Sequence, residues 1–153
     1  MNLPNLKIVL AIACVITFIA CQQPAKQSEK YKLAELERED KQFLALKDTA
    51  QNHINEFVTG LEKNKLDTNY RFMVKSDFIE GQTHEHMWSV ILNFKENKFY
   101  GLLADSAYNL KNIKTGDKVI IHKEDVEDWA IFDYEHQTEK GNFSDKYLRS
   151  KMK

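Results

Sequence analysis

The sequence predicts an α+β domain: an N-terminal helix packed on an antiparallel sheet or small open barrel of about five strands. Three observations predict it. Apolar residues recur at three- and four-residue steps up to about residue 61. From Asn69 the period changes to two. Turn-forming residues then divide the rest into short, closely spaced segments. With 153 residues, 42% hydrophobic and 29% charged, the chain has the size and balance of one globular domain.

The first twenty residues read as an address. Lys7 is their one charge, and Ile8 to Ala20 is an uncharged apolar run of thirteen residues. As a helix such a run reaches about 20 Å, short of the roughly 30 Å hydrocarbon core, so a cleaved secretory signal is expected over residues 1–20. The run ends in FIAC. A small residue before a cysteine at this point resembles the lipobox of bacterial lipoproteins, with Cys21 as the lipid-modified residue. Phe18 departs from the aliphatic residue usual there, and an uncleaved membrane anchor is the alternative. Residues 21–38 are then a lipidated cysteine and tether, and residues 39–153 the domain. Cys14 leaves with the signal and Cys21 carries acyl chains, so the domain holds no thiol for a disulfide, a nucleophile or a cysteine-ligated zinc. Net charge is −1 for the whole chain, with 22 basic and 23 acidic residues; without Lys7 it is 21 against 23, or −2. No clustered basic footprint suggests nucleic acid.

The helical stripe is Leu33, Leu36, Phe43, Leu46 or Lys47, Ala50, Ile54, Phe57 and Leu61. Asp40 interrupts it, so a firm start is expected near there, and Gly60 either caps the helix or dents it. A sheet is its expected partner; a membrane surface is the alternative, although the opposite face mixes acids and bases. The first strand places Tyr70, Phe72, Val74, Ser76 and Phe78 on one side and Arg71, Met73, Lys75 and Asp77 on the other. Glu80-Gly81-Gln82 suits a turn. HEHMWSVILNF is the second strand, KEN a turn, KFYGLLAD the third strand and SAYNLKNIKTGD a loop leading into KVIIH. After the acidic stretch KEDVED, WAIFDY is the last expected strand, and GNFSDKYLRSKMK ends in a short helix with Ser144 as cap.

Val74-Lys75 with Phe78, Glu85-His86-Met87-Trp88, Gly101-Leu102-Leu103, Gly116-Asp117-Lys118-Val119, Asp128-Trp129 and Gly141-Asn142-Phe143 follow one another in an order that resembles the YegJ-like domains. The resemblance covers roughly Phe43 to Leu148, with EHMW and the DW pair its specific parts. It implies one compact domain. The family's function is unknown, and the settings of some relatives imply immunity or partner binding.

In HEHMW, strand alternation puts His84, His86, Trp88, Val90 and Leu92 on one face and Glu85, Met87, Ser89 and Ile91 on the other. Two histidines so spaced can ligate one metal, with His122, Glu124 or Asp128 as a third ligand that no spacing selects. The other reading makes His86 a hydrogen-bonded residue at the core edge beside Trp88, with His84 exposed near the turn. The family pattern includes the position of His86 and not that of His84. Glu85 points away from His86 and pairs poorly with it. Asp128-Trp129 is either an acidic rim around an aromatic, receiving a basic partner, or a core anchor beside a solvated turn. EDVED lacks the ligand spacing of an EF-hand. No phosphate loop, nucleophile elbow or Ser-x-x-Lys signature is present.

Together these readings predict a lipid-anchored protein of the bacterial cell envelope, held to the membrane through Cys21. Its domain most simply binds another protein over a surface of Glu85, His86, Trp88, Asp128 and Trp129. No cofactor is expected. A metal-binding protein or metal-dependent hydrolase using His84 and His86, and a structural lipoprotein with no discrete site, are the alternatives.

Overall fold

The computed structural model describes residues 41–151. Expectations for the leader, Cys21, the tether, and Leu33 and Leu36 of the helical stripe lie outside the described residues.

The stripe forms two helices rather than one, α1 (Lys41–Asn52) and α2 (Ile54–Asn64). The break is at His53, at φ −104° and ψ 4°, whose N–H is shared between the carbonyls of Thr49 and Ala50, each 3.2 Å away. Neither proline nor glycine causes it. The two segments answer to different partners. Gln51 Nε2 donates to the carbonyls of Lys123 (3.0 Å) and Val126 (2.6 Å), and Trp129 Nε1 donates to that of Ala50 (3.0 Å), tying α1 to the end of one strand. Helix α2 instead buries Ile54, Phe57 and Leu61 against the sheet. Gly60 lies inside α2, neither capping nor ending it.

The strands are β1 (Tyr70–Glu80), β2 (Thr83–Lys95), β3 (Lys98–Leu103), β4 (Lys118–His122), β5 (Val126–Asp133) and β6 (Thr138–Gly141), with a 3₁₀ turn, η1 (Lys123–Asp125), before β5. They form one open antiparallel sheet in the order β4-β3-β2-β1-β5-β6. Glu96 and Asn97, at φ 53° and 57°, make the two-residue β2–β3 turn that the strand twist favours. The stretch KEDVED divides: its first three residues form η1, and Val126 is already buried in β5. The sixth strand, β6, lies in what the sequence presents as tail. Its residues, TEKG, carry no apolar side chain and hence no period to detect.

The sheet must curl. Flat, β4 and β5 would stand four interstrand spacings apart, about 19 Å. The step from His122 to Val126 spans at most roughly 14 Å. The core confirms the curvature: the Phe57 ring lies 5.9 Å from that of Phe72 on β1, 5.5 Å from Phe99 on β3 and 5.7 Å from Trp129 on β5. One ring touching three strands needs a concave face.

Helix α3 (Phe143–Lys151) closes the chain. Ser144 is its second residue and not its cap. The amides of Phe143 and Ser144 donate instead to the Asp128 carboxylate of β5, at 3.1 and 2.8 Å, and the Ser144 hydroxyl donates to it too. Gly141, at φ 67°, leads into the helix, and a Cβ there would overlap the Trp129 carbonyl oxygen and indole ring. The DW pair and the later glycine are thus one packing device.

Candidate functional site

On β2, Met87, Ser89 and Ile91 are buried, while His84 and His86 are exposed. His86 is therefore on the outer face of the sheet and not at the core edge. Both histidines are held by carboxylates. His84 Nδ1 lies 2.6 Å from Asp77 Oδ2 of β1, and His86 Nδ1 lies 2.6 Å from Glu127 Oε2 of β5. Glu127 reaches His86 because β5 is bulged: Lys75 pairs with Asp128 and Ser76 with Val126, so Glu127 has no partner in the ladder. Lys47 of α1 approaches the other Glu127 oxygen at 3.7 Å. The hydrogen bond to Glu127 raises the His86 pKa above 6.5, against the opposing pull of burial.

Holding Nδ1 on a carboxylate is how ligating histidines are commonly oriented. The third ligand does not follow. His122 pairs with Lys98, which pairs with Lys95, nine residues or about 30 Å along β2 from His86. Asp128 is committed to α3, and Glu124 is exposed in η1. Among the described residues no group of three or more His, Cys, Asp or Glu is set to hold a metal.

Beside His86 the outer face opens into a groove of about 350 Å³, lined by Phe43, Leu44, Leu46 and Lys47 of α1 and by Lys75, His86, Glu127, Asp128 and Ser144. The apolar residues all come from the α1 wall, and the polar ones, Lys47 apart, from the sheet and α3. Leu44 is 55% exposed at the mouth, while Lys75 is nine-tenths buried with its ammonium 5.9 Å from the Phe43 ring centroid. Behind it, burial raises the Asp145 pKa, opposed by the Lys75 charge. The volume suits a small ligand or the anchoring side chains of a peptide.

The expected contact residues separate. Trp129 and Asp128 are each 1% exposed, one a core anchor and the other a helix cap, so neither stands on the open surface, although Asp128 lines the groove. Glu85 accepts hydrogen bonds from the amides of Tyr108 (2.7 Å), Asn109 (3.0 Å) and Leu110 (3.4 Å), stapling the β3–β4 loop so that Leu110 reaches the core. Trp88 is half-buried, and its amide donates to Asp105 of the same loop. Of the five expected contact residues, only His86 both lines the groove and is exposed. Phe43 and Lys47 were visible in the sequence as parts of a helical stripe, and Lys75 as part of a family motif. Glu127 stood in the acidic stretch KEDVED, but its pairing with His86 carried no signal, because a strand bulge leaves none.

A family described as an uncharacterized protein conserved in bacteria, DUF2314, matches residues 21–153. The chain belongs to this family. The match takes in the DUF2314 domain from α1 to α3, groove included, and begins at Cys21, so the apolar run Ile8 to Ala20 lies outside it. No curated protein and no solved structure matches the chain. Among the described residues no helix is long and apolar enough to cross a membrane.

Proposed function

We propose that this DUF2314 chain is a lipid-anchored protein of the bacterial cell envelope whose domain binds a protein partner in the groove beside His86. The groove carries the reading. Its wall of Phe43, Leu44 and Leu46 offers an apolar seat, and His86, Glu127 and Lys47 stand at its polar side to fix orientation. The short apolar leader ending in FIAC supports the anchor at Cys21. EHMW and the DW pair support reading the family as the YegJ-like one. Their roles in this fold, a loop staple and a helix dock, are structural. Partner recognition therefore falls to the groove, to which the motifs contribute Lys75, His86 and Asp128, rather than to Glu85, Trp88 and Trp129.

Photo-crosslinking in intact cells tests this. A photoreactive residue at Leu44 is expected to give one adduct of defined mass, and the same residue at Tyr134, 49% exposed just past the end of β5 remote from the groove, none. His86→Ala should weaken the Leu44 adduct by about tenfold, the loss of one well-placed polar contact. Equal adducts from both positions, or none from Leu44, would refute the groove.

A further inference from the structure

An antiparallel sheet with one solvated face usually turns polar residues outward. Here the outward positions beyond the groove are apolar. Register sets Met73, Val90 and Leu102 in one row ending at Lys118, and Tyr100 opposite Ile120 in the next. Leu92 joins them from the β2 bulge between Ile91 and Asn93. Their strand neighbours Phe72, Val74, Ile91, Phe99, Leu103 and Val119 fill the opposite, inner face. Leu92 is 56% and Ile120 61% exposed. The patch centre at Leu92 is six residues, about 20 Å, along β2 from His86, so it is distinct from the groove.

Its margin is cationic. Arg71, Lys98 and Lys118 share the outward side and form no ion pair among the described residues. Of the acids on this side, Asp77, Glu127 and Asp128 lie at its other end, the first two each against a histidine and the third docking α3. Glu139, in line with Arg71 through Phe132, is paired with Arg149. Tyr100 and the half-buried Trp88 add rings with a polar tip, the kind that settle where apolar and wet regions meet. An apolar centre with a positive margin is the complement of an anionic lipid surface.

We propose that this face rests on an anionic phospholipid surface. The proposal relies on the N-terminal anchoring given above, which keeps the surface close. Nineteen residues separate Cys21 from Lys41, a reach of at most roughly 70 Å. At the effective concentration that such a link imposes, a weak apposition is populated.

The test uses the full chain, reconstituted through its own N-terminus into vesicles of phosphatidylcholine alone or mixed with phosphatidylglycerol. Lipids brominated near the headgroup quench nearby tryptophan. The chain has two tryptophans, and Trp129 is buried, so quenching lost in Trp88→Phe reports this face. Roughly threefold stronger Trp88 quenching is expected with the anionic lipid, falling to the phosphatidylcholine level in high salt. Leu92→Glu with Ile120→Glu should abolish it, and Arg71→Glu with Lys118→Glu should remove its dependence on anionic lipid. All four side chains are exposed, and near-ultraviolet circular dichroism checks that the variants fold. Retention on the vesicles without Trp88 quenching overturns the docking, leaves the anchor standing, and is the result expected of a face made for a protein. Loss of the chain from the vesicles overturns both readings.

Discussion

His86 meets Glu127 across an intervening strand because β5 carries one residue more than β1 at that level. That contact gives the groove a titrating wall. A histidine whose folded pKa is raised by a carboxylate stabilises the fold fully below its unfolded value of 6.5. The contribution is lost as pH rises through the higher, folded value. In a titration followed by NMR, the His86 midpoint is therefore expected above 6.5, and Glu127→Gln should return it toward 6.5. A midpoint at or below 6.5, unmoved by Glu127→Gln, would contradict the pairing. At this scale the sequence was legible in alternation and silent on partners. The period of two correctly placed His84 and His86 together, and Met87 and Ile91 opposite them. It could not say which set faced inward, since a tryptophan flanked by valine and leucine looks as buried as a methionine and an isoleucine. The core decided for Met87 because the sheet is concave toward α2.

Asp128 shows how an element is held by a residue that reads as surface. Four donors converge on its carboxylate: the amides of Trp129, Phe143 and Ser144 and the Ser144 hydroxyl. Helix α3 takes its N-terminal capping from β5, so the dock is tertiary and invisible to a search for a local cap. Asp128→Ala leaves buried donors unmet and should cost about 3 kcal/mol, a fall of roughly 10 °C in Tm for a domain of this size. Ser144→Ala removes one donor and no acceptor, and should cost much less. Thermal melts of the two variants side by side check this, and an Asp128→Ala protein melting with the parent would contradict the dock. Element existence was legible wherever burial imposed a period, from Phe43 through Leu61 and along β1 to β5. The break at His53 and the strand β6 were not. The first comes from two packing directions imposed on one helical sequence, the second from a short edge strand without apolar side chains.

For the whole molecule, the short β4–β5 link curls the sheet, and the curl gives the domain two unlike sides. Inside, Phe57 gathers Phe72, Phe99 and Trp129. Outside lie a groove at one end and an apolar face at the other. The expectation of a sheet or small open barrel came from strand spacing alone and was sound in class; the curvature needed the strand order. Both proposed surfaces depend on where the domain is held, which makes the anchor the central claim. The measurement that tests it most directly is the intact mass of the chain extracted from the membranes of a bacterium that processes lipoproteins. The expected result is a polypeptide that begins at Cys21 and carries the added mass of acyl chains on that residue. A chain retaining residues 1–20, or one beginning at an unmodified Cys21, would contradict it.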